Sequence, residues 1–157
     1  MKTGRIILLA FIAFLLPELA GSLAAAQPLI KVQGGNPILD VTTGTAMGGI
    51  VPVSNSTSRI QYRQSAVSTK ITVATVCPGQ HFNLTVEALN PSIGVAAPAV
   101  MLIDGLLDAD FITNIPPGGN RAQRAGLRYV SAPTFDQGNS RDLGDDVHVV
   151  TYTVVQQ

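Results

Sequence analysis

The chain has 157 residues, with ten basic and ten acidic side chains, 46% hydrophobic and 5% aromatic content, a single cysteine and no tryptophan. Balanced charge argues against nucleic acid as a partner, because the one basic cluster, Arg121, Arg124 and Arg128, is answered by an acidic segment from Asp136 to Asp146. A lone Cys77 excludes an intrachain disulfide, leaving either a buried inert thiol or an exposed one that pairs with another chain.

At the start, Lys2 and Arg5 precede an apolar run from Ile6 to Leu16, Pro17 breaks it, and Ala24-Ala25-Ala26 offers small residues for cleavage. Residues 1–26 therefore read as a secretory signal peptide, cut before Gln27. The run is about half of the roughly 20 residues a membrane-spanning helix needs, so a retained anchor is the weaker alternative. No cysteine follows the small residues to carry a lipid. The expected product is secreted, periplasmic or on the cell surface, with no transmembrane segment. The length that remains, about 130 residues, suits one domain.

Residues 27–57 are rich in Gly, Thr, Ser, Asn and Pro, with apolar knots at Leu29–Val32, Ile38–Val41 and Ile50–Val53. Gly34-Gly35, Gly48-Gly49, Pro37 and Pro52 interrupt any continuous element, so this stretch reads as an extended arm or a set of edge strands. Ile38, Leu39, Val41, Ile50, Val51 and Val53 are its candidate partner-binding residues, able to complete a neighbouring subunit's sheet by strand addition. Two forecasts follow for a chain cut near Ser58. Strand exchange predicts a folded monomer, whereas an arm that completes its own sandwich predicts a destabilised, aggregating core.

From residue 58 to 157 the pattern is a meander of strands. Ile60 and Tyr62 alternate with Arg59, Gln61 and Arg63, and Thr69 to Val76 places Ile71, Val73 and Thr75 on one side. Between His81 and Leu89, Phe82, Leu84, Val86 and Ala88 point inward and His81, Asn83, Thr85 and Glu87 outward, the alternation of a strand with one wet face. Further strands are expected over Ala99–Ile103, Phe111–Ile115 and Gly126–Ser131, the last with Leu127 and Tyr129 inward. Turns are expected at Pro78-Gly79, Asn90-Pro91-Ser92 and Asp104-Gly105, and a loop at Pro116–Asn120. The last stretch, Asp145 to Val155, is β-branched or aromatic at almost every position from Val147 onward and apolar on both faces. It reads as a strand inside a sheet, covered on both sides.

About seven to nine short strands, with turns roughly every 8 to 12 residues and no helical periodicity, predict an all-β protein: one antiparallel β-sandwich. The exported, Ser/Thr/Val-rich chain ending in Gly144-Asp145-Asp146-Val147-His148-Val149-Val150-Thr151-Tyr152-Thr153-Val154 resembles the closing strand of bacterial immunoglobulin-like sandwich proteins, including spore-coat-U-like and fimbrial subunits. It differs from many fimbrial subunits in lacking a cysteine pair. The resemblance implies an immunoglobulin-like fold and a non-enzymatic role in a cell surface, extracellular matrix or fibre, with self-assembly or a protein partner at the sheet edges.

The chemical inventory points the same way. After residue 26 the chain has two histidines, His81 and His148, one glutamate, Glu87, and neither a Gly-x-Ser-x-Gly nor a His-Glu-x-x-His spacing. No catalytic residue is assigned. Cys77 and His81, four apart, suggest a metal or thiol site, but structural zinc usually takes four ligands as two pairs and the second pair is missing. His148 reads as a structural residue of the last strand. No cofactor is required, although Asp136, Asn139, Asp142, Asp145 and Asp146 gather hard oxygen donors suited to calcium without matching the EF-hand spacing. A solvated acidic loop is the competing reading. The alternative function is a carbohydrate- or surface-binding module, for which Phe135 is the candidate glycan-binding aromatic. Tyr62, Tyr129, Tyr152, Phe82 and Phe111 fall almost entirely on faces assigned to the core.

Overall fold

The computed structural model describes residues 30–40, 44–45, 49–119, 121–132 and 145–157. Residues 1–26, expected to be a signal peptide, and Val41, Phe135, Asp136, Asn139 and Asp142 lie outside them. Twelve strands follow one another with no helix among the described residues. The arm contributes β1 (Ile30–Gln33), β2 (Gly44–Thr45), β3 (Gly49–Ile50) and β4 (Val53–Asn55). The stretch expected to form a meander contributes β5 (Arg59–Arg63), β6 (Thr69–Val76), β7 (Leu84–Leu89) and β8 (Val95–Ala96). It continues with β9 (Val100–Leu102), β10 (Ala109–Ile115) and β11 (Ala122–Ser131), and the chain closes on β12 (Val149–Gln156).

Ten of these strands build two antiparallel sheets. One has the order β1-β5-β11-β7-β9, with β4 also paired to β11; the other has the order β12-β6-β10-β8. From β5 to β12 every successive strand changes sheet, so each connection crosses the end of the sandwich and the expected meander is not formed: alternation along a strand shows which face is buried, not which strand it pairs with. The count exceeds the expected seven to nine by one; β8, only two residues long, is the strand that was not expected. Segments that short carry no readable alternation. The remaining two, β2 and β3, form a separate two-stranded ribbon.

Alternation explains which faces meet. Ile60, Tyr62, Leu84, Val86, Ala125, Leu127 and Tyr129 of the larger sheet pack against Ile71, Val73, Phe111, Ile112, Ile115 and Tyr152 of the smaller one. All the inward positions expected between His81 and Leu89 are buried. Across the core the hydroxyls of Tyr129 and Tyr152 hydrogen-bond at 2.9 Å, and the rings of Phe111 and Tyr152 meet at 5.1 Å with a tilted geometry. Each tyrosine thereby keeps its polar tip satisfied within an apolar layer. Burial pushes both phenols up, so they stay neutral.

The turns follow their chemistry. Gly79 and Gly105 adopt left-handed φ values of 74° and 78°, closing the turns Cys77–Gln80 and Ile103–Leu106 with backbone hydrogen bonds of 3.1 and 2.9 Å. Asn90, also left-handed, ends β7 where its turn was expected.

Another expectation needs correction. The closing strand does not lie inside a sheet: β12 occupies the end of its sheet, paired only with β6 among the described residues, and Val147 and Val149 are 72% and 61% exposed. Its outer face, Val149, Thr151, Thr153 and Val155, looks out from the sandwich. Of the two readings left open for the arm, its described strands follow the second, pairing within their own domain. β1 pairs with β5 from Ile30↔Tyr62 to Gln33↔Arg59, and β4 continues the line of β5 along β11, with Val53 opposite Ser131. Gly34, at φ 104°, lies so close to Thr57 that an added Cβ would sit 2.5 Å from the Thr57 carbonyl oxygen. Only glycine fits that crossing. Ser58 Oγ then donates to the Gly35 carbonyl at 3.3 Å.

Candidate functional site

The pairing of β12 with β6 brings together residues that the sequence keeps far apart. Val149 stands opposite Val76, so the segment entering β12, Asp145–His148, runs beside the Cys77–Gln80 turn that leaves β6. Cys77, Asp146 and His148 converge there, with one ligand-type atom of each lying within 4.8 Å of the others. Asp146 and His148 also line a cleft of about 910 Å³ whose opposite wall is Gly35–Asp40. Cys77 lies behind them, 1% exposed.

A second turn locks the first in place. The Cys77 N–H donates to Asp104 Oδ1 at 2.7 Å, and the Asp104 N–H donates to Gln80 Oε1 at 2.8 Å. Gln80 Nε2 in turn donates to the carbonyls of Phe82 and Leu102. Asp146, with a side chain 8% exposed, accepts from the backbone N–H groups of His81 and Phe82 at 2.9 and 2.7 Å and faces His81 Nδ1 at 3.1 Å. Burial opposes its ionisation, but these donors win and hold the carboxyl below the ordinary range.

The other two members are tuned by the same surroundings. Burial, then the charges of Asp146 and Asp104, push the Cys77 thiol up, against a hydrogen bond from the Val147 backbone. Burial lowers His148 despite the same two carboxylates, keeping the imidazole neutral, with Thr75 Oγ1 at 3.4 Å from its Nδ1. A nucleophilic cysteine needs a lowered pKa and access to substrate. Cys77 has the opposite of both. A buried thiol, a neutral imidazole and an ionised carboxylate are instead a mixed S, N and O donor set.

No family model, curated protein or solved structure matches the chain. Function therefore rests on the geometry.

The residues singled out from the sequence are partly reunited and partly dispersed. His81, paired in sequence with Cys77, meets Asp146 instead. Of the five oxygen donors read as a calcium site, Asp145 is exposed and Asp146 is turned toward the protein. The other three lie outside the described residues. Among the arm residues, Ile38 and Val51 are 83% and 51% exposed, Leu39 packs against the core, and Val53 pairs within β4. Ile50 belongs to the β2–β3 ribbon. The Cys77–Asp146–His148 grouping was missed because its members are separated by about 70 positions, and the only local clue was a cysteine and a histidine flanking two different strands.

Asp146 carries a stability prediction of its own. Asp146→Ala leaves two N–H groups at the start of β7 without their acceptor and is expected to cost about 2–3 kcal/mol. Because the folded carboxyl titrates below its unfolded value, its contribution is complete above about pH 5 and is lost as pH falls through the lowered folded value. Urea melts should show wild type losing stability as pH falls from about 5 through the lowered folded value while Asp146→Ala changes less. Parallel losses in the two proteins would remove Asp146 from this role.

Proposed function

We propose that this protein is an exported, non-enzymatic structural protein that associates with a second copy of itself by strand addition along the outer edge of β12. The observation that carries the reading is the character of that edge. β12 is eight residues long, Val149–Gln156, with no charge and no proline in it. Natural edge strands usually discourage pairing through shortness, lysine, proline or bulges. The opposite end of the same sheet, β8, is a two-residue strand, and β9, at one end of the larger sheet, has three residues. β12 has none of these safeguards.

A second copy fits this edge without help from a new sequence. Antiparallel pairing of two β12 strands about a two-fold axis uses the same surface on both subunits and closes the assembly as a dimer. The exposed Val149–Val76 pair on the outer face adds apolar surface beside the new seam. Export is supported by the basic and apolar opening and the Ala24–Ala26 site. An immunoglobulin-like kinship, with a role in a surface, matrix or fibre, belongs to the same proposal. The binding-module alternative finds less support, because Tyr62, Phe82, Phe111, Tyr129 and Tyr152 are all buried and leave no aromatic platform among the described residues.

The test compares the chain beginning at Gln27 with its Thr151→Lys/Thr153→Lys variant by size-exclusion chromatography with light scattering. Both threonines are exposed, so the monomer should keep its fold. Dimers are expected for wild type and monomers of similar melting temperature for the variant, since lysines facing one another across the seam repel. An unchanged dimer in the variant would place the interface elsewhere.

A further inference from the structure

We infer that Cys77, Asp146 and His148 form a binding site for a single zinc ion, held by one sulfur, one nitrogen and one oxygen donor and leaving a fourth position open toward the cleft. Four observations on different parts of the chain converge on it. The three donor atoms already lie within 4.8 Å of one another, a span that small side-chain adjustments close onto one ion. They flank two neighbouring strands of one sheet, Cys77 just after β6 and Asp146 and His148 just before β12, so the end of the ladder at Val149↔Val76 brings their backbones side by side. Asp146 and His148 line the cleft, which supplies a path for the ion to a thiol that is itself buried. Outer partners are in place as well. His81 holds the Asp146 carboxylate, Thr75 contacts His148, and Asp104 receives the Cys77 N–H. Such outer hydrogen bonds orient ligands and tune the metal.

The donor set selects the ion. A thiolate and an imidazole are poor ligands for calcium or magnesium, which take hard oxygen, and suit a borderline-soft dication. Zinc accepts three protein ligands of these kinds with a water in the fourth position. Burial, and after it the negative bias of the nearby carboxylates Asp146 and Asp104, keeps the thiol protonated without an ion. With a dication present the same bias favours binding, and Cys77 loses its proton to solvent as the sulfur–metal bond forms. The site is independent of the β12 edge, so its test does not depend on dimerisation.

The experiment titrates reduced, chelator-treated chain from Gln27 with cobalt(II) and then with zinc. A sulfur-to-cobalt charge-transfer band saturating at one equivalent, displaced by zinc, is the expected result, together with a rise in melting temperature on zinc addition. His148→Ala should weaken zinc binding more than tenfold, and Cys77→Ser should abolish the band; circular dichroism checks that each variant is folded. No charge-transfer band and no thermal shift in the folded wild-type protein would overturn the site, whatever the variants do. An unchanged zinc affinity in folded His148→Ala would overturn it too.

Discussion

A chain that begins at Ser58 is expected to lose the sandwich and aggregate, not to persist as a folded monomer. The cut removes β1, with four register pairs to β5, and β4, with three to β11. It also strips Ile30 and Leu39 from the core. Each backbone hydrogen bond contributes about 0.5–1.5 kcal/mol net, and each large apolar side chain up to about 1.5–3 kcal/mol when fully buried. Together these approach the whole stability of an ordinary domain, about 5–15 kcal/mol. Circular dichroism and light scattering on the truncated chain check this. A folded, cooperative monomer would show that the arm is dispensable and would revive strand donation by Ile38, Leu39, Val41, Ile50, Val51 and Val53.

The second large effect is expected at Tyr152. Tyr152→Ala removes the ring that meets Phe111, opens a cavity between the sheets and leaves the Tyr129 hydroxyl without its partner. Large aromatic truncations in cores cost about 3–5 kcal/mol. Tyr152→Phe keeps the packing but strands the Tyr129 hydroxyl, at about 1–3 kcal/mol. Adding Tyr129→Phe to it should recover part of that loss, because no buried hydroxyl then remains unpaired. Urea denaturation of the two single variants and the double variant measures the coupling. Additive losses would mean that the two hydroxyls do not depend on each other.

Much of this architecture was legible because strand alternation is a local signal. The residues His81–Leu89 show it most clearly, since one face meets the core and the other meets water, and Pro78-Gly79 and Asp104-Gly105 announce turns whose glycines are indeed left-handed. The position of β12 was not legible. Apolar residues on both faces are equally the pattern of a strand covered on both sides and of an edge strand with an exposed apolar face. Only the pairing with β6, about 80 residues upstream, separates the two. Which of its two readings the arm follows was not legible for a related reason. Glycines at 34 and 35 read only as breaks, yet the first of them is what lets the chain cross close over Thr57 and dock β1 on β5. The Cys77–Asp146–His148 site shares this origin, because no spacing along the chain encodes a meeting made by two strands of one sheet.

The most direct measurement of the β12 edge is amide hydrogen exchange across Val149–Gln156 as protein concentration is raised. In an antiparallel edge strand alternate N–H groups face the neighbour and the others face outward. The outward set in β12 should exchange quickly in dilute protein and become protected in step with dimer formation, while the set bonded to β6 stays protected throughout. Rapid exchange of the outward set in a fully dimeric sample, or a chain that stays monomeric at every concentration, would contradict assembly through this edge.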